Sequence, residues 1–102
     1  PVDLRLVLLA KHLEGKLAVR DYTFRRDDNG ASLSLTLENL QPEQPMTMEA
    51  VALFEDPGGN VVAQTEPVRI TINPLRRHPY RAQTRDPRAV SGKIMMRLIK
   101  QQ

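Results

Sequence analysis

The stretch Ala31-Ser32-Leu33-Ser34-Leu35-Thr36-Leu37-Glu38-Asn39 decides the fold. Leu33, Leu35 and Leu37 fall on one side of an extended chain, and Ser34, Thr36 and Glu38 on the other. A period of two is that of a β-strand with one face on a core and one in water. Just upstream, Asp27-Asp28-Asn29-Gly30 is a hairpin loop, because Asn-Gly tolerates positive φ.

Working outward, the same period recurs. Val68, Ile70 and Ile72 alternate with Arg69 and Thr71, and Ile94, Met96 and Leu98 alternate with Met95, Arg97 and Ile99. Met46, Met48, Ala50, Ala52 and Phe54 share one face. Their opposite face carries Val51 and Leu53 beside Thr47 and Glu49, which predicts a central strand partly covered on both sides. Leu17 and Val19 have one parity and Tyr22 and Phe24 the other, so a bulge near Arg20–Asp21 brings both pairs to the core. Turn chemistry separates the runs at Gln41–Pro45 and Asp56–Asn60, and Pro67, Pro74, Pro79 and Pro87 punctuate the second half. Near the start, Leu4–Leu13 reads two ways. A strand over Leu4–Ala10, followed by a turn or short helix up to Gly15, is favoured over a helix capped by Asp3 and Gly15.

These runs predict an all-β chain: a single immunoglobulin-like β-sandwich domain over residues 1–102, with about seven to eight mostly antiparallel strands. Its expected core joins Leu6, Leu8, Leu17 and Val19 to the leucines of the 33–37 run, Ala50, Ala52 and Phe54, and then Ile70, Ile72, Ile94, Met96 and Leu98. Leu, Ile, Val and Phe supply 27 of the 102 residues, enough for one core. The longest apolar runs, Leu6–Ala10 among them, are far short of the roughly 20 residues of a helical membrane span. There is no Cys, which excludes disulfides, thiolate metal sites and Cys nucleophiles. The first residue is Pro1, not Met, and a mature chain with a leader or lipidated Cys upstream is expected.

Two segments carry a family resemblance. One is the strand Leu33-x-Leu35-x-Leu37-Glu38-Asn39, followed by a Pro-containing turn. The other is Phe54-Glu55-Asp56-Pro57-Gly58-Gly59-Asn60-Val61-Val62, in which an aromatic, an Asp and a Gly precede a Val pair. With the strand Val68–Ile72 and a final apolar strand, this order resembles the YcfL-like family of small bacterial envelope lipoproteins. Phe54, Asp56 and Gly59 occupy the positions of that family's aromatic-x-Asp-x-x-Gly turn, with Phe where Trp is more frequent. The resemblance implies an immunoglobulin-like sandwich, a periplasmic or outer-membrane location and a lipid anchor upstream. It implies no catalytic residue and no cofactor.

The residues themselves offer little for catalysis. His12 and His78 lie far apart with no Cys to assist, and His78 sits among arginines that repel a cation. Ser32, Ser34 and Ser91 lack a nucleophile context. Ser91-Gly92-Lys93-Ile94 fails as a phosphate loop, since Pro87 stands where the first Gly is needed and Ile94 where Ser or Thr is needed. Asp27-x-Asn29-Gly30 fails as a calcium loop, because Arg25 and Thr36 hold the first and last ligand positions.

Charge gives the positive signal. The net charge of +3 divides into −5 over residues 1–68 and +8 over residues 69–102. Arg76, Arg77, His78, Arg81, Arg85 and Arg88 fall within one short segment, with Tyr80 among them. Arginine's planar fork suits phosphate and carboxylate. One reading is a basic patch for an anionic envelope component or another envelope protein. The other is an edge strand kept monomeric by charge and by Pro79. On a strand, Arg77, Pro79, Arg81 and Gln83 share a face, so the cations form only a partial row. The expected function is a non-enzymatic envelope-associated binding or accessory module, using this segment and the loops at Asp27–Gly30 and Asp56–Asn60. The alternative is a nucleic-acid or nucleoprotein accessory domain using the same arginines. It is disfavoured by four aromatics in all, of which only Tyr80 is left for base stacking.

Overall fold

The structure, a computed structural model, describes residues 15–99. The expected strand over Leu4–Ala10, Leu6, Leu8 and His12 lie outside the described residues. Seven strands follow in order: β1 (Leu17–Asp27), β2 (Gly30–Asn39), β3 (Met46–Glu55), β4 (Val61–Gln64), β5 (Val68–Ile72), β6 (Arg77–Thr84) and β7 (Ser91–Leu98). They form two antiparallel sheets, and no helix occurs among the described residues. One sheet has the order β1-β2-β6. In the other, β3 pairs with β7 along one edge, while β4 and β5 share its opposite edge end to end. The expected immunoglobulin-like sandwich is thus the observed class, with β2 and β3 as the two central strands.

The alternating pattern sets the core. Leu33, Leu35 and Leu37 of β2 are buried, as are Met46, Met48, Ala50, Ala52 and Phe54 of β3 and Ile70, Ile72, Ile94 and Met96 of the strands beside it. Leu17, Val19, Tyr22 and Phe24 pack on this core only partly buried, because β1 is an edge. The phase change within β1 is a bulge: its register with β2 shifts between Arg20 and Thr23, and Asp21 takes φ 57. Tyr22 then donates its hydroxyl hydrogen bond to the Gly92 carbonyl of β7, which ties the two sheets along one side. At Gly92 the sheets lie close together; an added Cβ would stand 2.7 Å from a Leu33 methyl.

Both ends of β2 are fixed. At its start, Gly30 has φ +132, and a Cβ there would lie 2.0 Å from the Thr84 carbonyl oxygen. At its end, Asn39 is fully buried yet fully satisfied. Its Nδ2 donates to the carbonyls of Ile72 and Gln44, each at 2.9 Å, and its Oδ1 accepts from the Gln41 N–H at 2.9 Å. The Asn39 backbone N–H donates to the Arg76 carbonyl at 3.0 Å. One residue therefore joins the end of β2 to β5, to the β2–β3 turn and to the entry of β6.

Asn39→Ala strands the buried Ile72 carbonyl and the part-buried Gln44 carbonyl and is expected to cost about 2–4 kcal/mol in urea unfolding. Asn39→Asp is expected to cost more, because a carboxylate cannot donate to the Ile72 and Gln44 carbonyls. An Asp variant as stable as wild type would remove Asn39 from this role.

Candidate anion-binding face

The face of β2 away from the core is a row of short hydroxyl side chains, Ser32, Ser34 and Thr36, ending in Glu38. Register places each between its neighbours on the flanking strands. Ser34 lies between Thr23 of β1 and Arg81 of β6, and Ser32 between Arg25 and Gln83. Glu38 lies between Ala18 and Arg77. Short side chains in the middle and long ones at the sides leave a groove over β2. It comprises two adjoining cavities of about 510 and 790 Å³ that share Arg25, Ser32 and Gln83. Arg81 lines the larger cavity and Arg85 the smaller.

The cations at the two ends of this face are in different states. At the Glu38 end, Arg20 Nε donates to Glu38 Oε1 at 2.6 Å, and Arg77 Nε stands 3.5 Å from the same oxygen. The bond from Arg20, together with both positive charges, holds the Glu38 carboxyl below its ordinary range. One carboxylate thus serves two arginines, across all three strands. Around the groove, Arg25, Arg81 and Arg85 are exposed and have no hydrogen bond or ion pair with any described residue. Asp27, which lines the smaller cavity, accepts from the Asn29 N–H at 2.7 Å as part of its own turn. Free guanidinium groups beside uncommitted hydroxyls offer charge and directional donors to an anion.

The basic segment read from the sequence is therefore spread out. Arg76 lies in the turn before β6, at the end where Asn39 binds, while Arg85 and Arg88 follow β6 at the opposite end. An eight-residue strand of about 26 Å separates the two groups. Arg77 is shared with Glu38, and Arg88 is held on Asp86, with Nε to Oδ1 at 3.0 Å and Nη2 to Oδ2 at 2.7 Å. His78 does not join the arginine row: it has the parity of buried Tyr80 and Ala82 and is half-buried on the core side. Tyr80, expected to be free for stacking, is only 5% exposed and belongs to the core, because the alternation of β6 turns it inward. Of the six residues, Arg81 and Arg85 meet at the groove. Their companions Arg25, Ser32 and Ser34 were missed as a site. Ser32 and Ser34 stood in view as the polar half of the deciding strand, but only the β1–β2–β6 pairing sets them beside the arginines.

The loops divide likewise. The β3–β4 hairpin is organised by Asp56, whose Oδ1 accepts from the N–H groups of Gly58 and Asn60 at 2.9 Å each. Those bonds, led by the one from Asn60, keep its carboxyl below the ordinary range. The hairpin lies at the same end of the sandwich as the β6–β7 connection, through Val90 N–H to the Glu55 carbonyl at 2.8 Å. The buried Glu55 carboxylate meets Lys93 Nζ at 3.3 Å.

Solved structures share this architecture. The chain is similar to a DUF1425 family member from Shewanella sp. pv-4, with TM-score 0.71 and 13% identity over 82% of this chain and 79% of that one. It is similar also to Campylobacter jejuni cj0090, with TM-score 0.66 and 13% identity over 79% of this chain and 85% of that one. No family model and no curated protein matches the sequence. At this identity the likeness establishes the fold. Both neighbours are small bacterial proteins, which is compatible with the YcfL-like resemblance.

Asp86 tests the assignment of Arg88. The bonds from Arg88 lower its pKa to about 2, so the pair adds stability fully above the ordinary aspartate range and loses it as pH falls towards 2. In Arg88→Gln, NMR titration of the Asp86 carboxyl carbon is expected to show the midpoint rising towards the ordinary value. An unmoved midpoint would mean that Arg88 is not committed to Asp86.

Proposed function

We propose that this chain is a non-enzymatic binding or accessory module of the bacterial cell envelope, and that it holds an anionic envelope component on the outer face of β1–β2–β6. The observation that carries the reading is the set of Arg25, Arg81 and Arg85 around one hydroxyl-floored groove, unpaired among the described residues. Arginines that serve only to keep an edge soluble need no floor of donors between them. The envelope location rests on the resemblance of the Leu33–Asn39 and Phe54–Val62 segments, and the bacterial origin of both structural neighbours supports it.

The serines of this face have no base as a cross-strand neighbour. The cross-strand neighbours of Ser32 are Arg25 and Gln83, and those of Ser34 are Thr23 and Arg81. An arginine stays protonated and cannot take a serine proton. His78 lies on the other side of β6. The nucleic-acid alternative loses its stacking platform with Tyr80 in the core, since Phe54 is also buried and Tyr22 and Phe24 pack partly buried against it.

The test is binding of the purified chain to isolated bacterial envelopes. Wild type is expected to sediment with them at 50 mM salt and to be released as salt rises to 200 mM, where screening shortens. The variant Arg25→Gln/Arg81→Gln/Arg85→Gln is expected to stay in the supernatant at both concentrations with unchanged circular dichroism. Sedimentation of the variant equal to that of wild type would contradict the proposal.

A further inference from the structure

Resting on that reading of the groove, we infer that its ligand is an acidic oligosaccharide, a saturated chain bearing carboxylate or sulfate-like groups, and not a lipid headgroup or a nucleic acid. Three features select this class. The first is the mixture of partners on the face. Arg25, Arg81 and Arg85 offer guanidinium forks, while Ser32, Ser34 and Gln83 lie among them as groups that both donate and accept. A lone inorganic anion accepts and needs no acceptors in return. Sugar hydroxyls donate as well as accept, and the serine and glutamine oxygens answer them.

The second feature is length. Arg81 and Arg85 are four residues apart along the end of β6, about 13 Å at strand spacing. Arg25 stands two strands across from β6, about 10 Å away at the inter-strand distance. These backbone separations spread the three arginines along and across the groove, which suits anionic groups repeated along a chain. The two cavities lie side by side and share Arg25, Ser32 and Gln83 in their linings, so such a chain has neighbouring beds along the face.

The third feature is what the face lacks. No exposed large hydrophobic residue sits on β1, β2 or β6 among the described residues; Leu40 and Leu75 lie in turns at the far end, and Val61, Val68 and Met95 belong to the other sheet. A headgroup-binding face that meets a bilayer gains from apolar side chains beside the charges, and this one offers none. No aromatic faces outward either, so bases have nothing to stack on.

The experiment measures affinity by calorimetry with four probes: an oligogalacturonate, a heparin octasaccharide, an oligodeoxythymidylate of matched charge and a neutral dextran oligomer. At least one acidic glycan is expected to bind at least tenfold tighter than the oligodeoxythymidylate, and dextran not to bind. Arg25→Gln and Arg81→Gln are each expected to weaken the glycan at least tenfold, the loss of a charge-assisted contact. Ser32→Ala/Ser34→Ala, half-buried positions on the face away from the core, is expected to weaken it about tenfold while leaving thermal stability unchanged. The inference is overturned if neither glycan binds, if the oligodeoxythymidylate binds as tightly as the glycans, or if the serine variant binds them like wild type. Salt-sensitive envelope binding that persists alongside any of these results would leave the anionic-face reading standing and remove the glycan assignment alone.

Discussion

The buried carboxamide of Asn39 is the contact on which the remaining geometry depends. β2 has a purely two-fold pattern, and a slip of one residue would bury Ser32, Ser34 and Thr36 and expose the leucines. Hydrophobic burial opposes that slip but does not by itself place the strand along its axis. Asn39 does so at one end, with two donated bonds and one accepted bond, all at 2.9 Å and all to backbone groups. Gly30 does so at the other, where the Thr84 backbone leaves no room for a side chain. Between these two stops, the register of β1 and β6 on β2 follows.

The proposed binding face is the reverse side of that same strand. Where Leu33 and Leu35 face the core, Ser34 faces the groove, and β1 and β6 bring Thr23 and Arg81 level with it. The face changes character along its length because Glu38 lies at one end, while Asp27 at the other is engaged in its own turn. Glu38 engages Arg20 and Arg77 and ties the three strands together there. Away from it, Arg25 and Arg81 have no acid opposite, only hydroxyls and an amide. The same residue type thus acts as a brace at one end and stands without a carboxylate opposite it at the other. The difference lies in which residue of β2 stands between.

The sandwich was legible in the sequence because its strands alternate strictly and its turns are marked by Asn-Gly, Pro and Asp-Pro-Gly-Gly. Even the bulge in β1 followed from the parity of Leu17, Val19, Tyr22 and Phe24. The site was legible only in part. A run of arginines in sequence becomes a line about 26 Å long when it is a strand, so closeness along the chain did not mean closeness in space. His78 and Tyr80 were read as members of the run, but the alternation that placed Arg77 and Arg81 outward turned both of them inward. Arg25 stands far from Arg81 in sequence and reaches it only through β2. Nothing local announces such a meeting of two edge strands over a central one.

On the proposed reading, anions settle on Arg25, Arg81 and Arg85 and not on the rest of the basic segment. Titrating inorganic phosphate into the labelled chain and following the arginine Nε–Hε resonances by NMR tests this directly. Saturable shifts are expected at Arg25, Arg81 and Arg85, accompanied by the amides of Ser32 and Ser34, with Arg77 and Arg88 unmoved on their carboxylates. Shifts of equal size at every arginine, or shifts centred on Arg76 and Arg77, would contradict it.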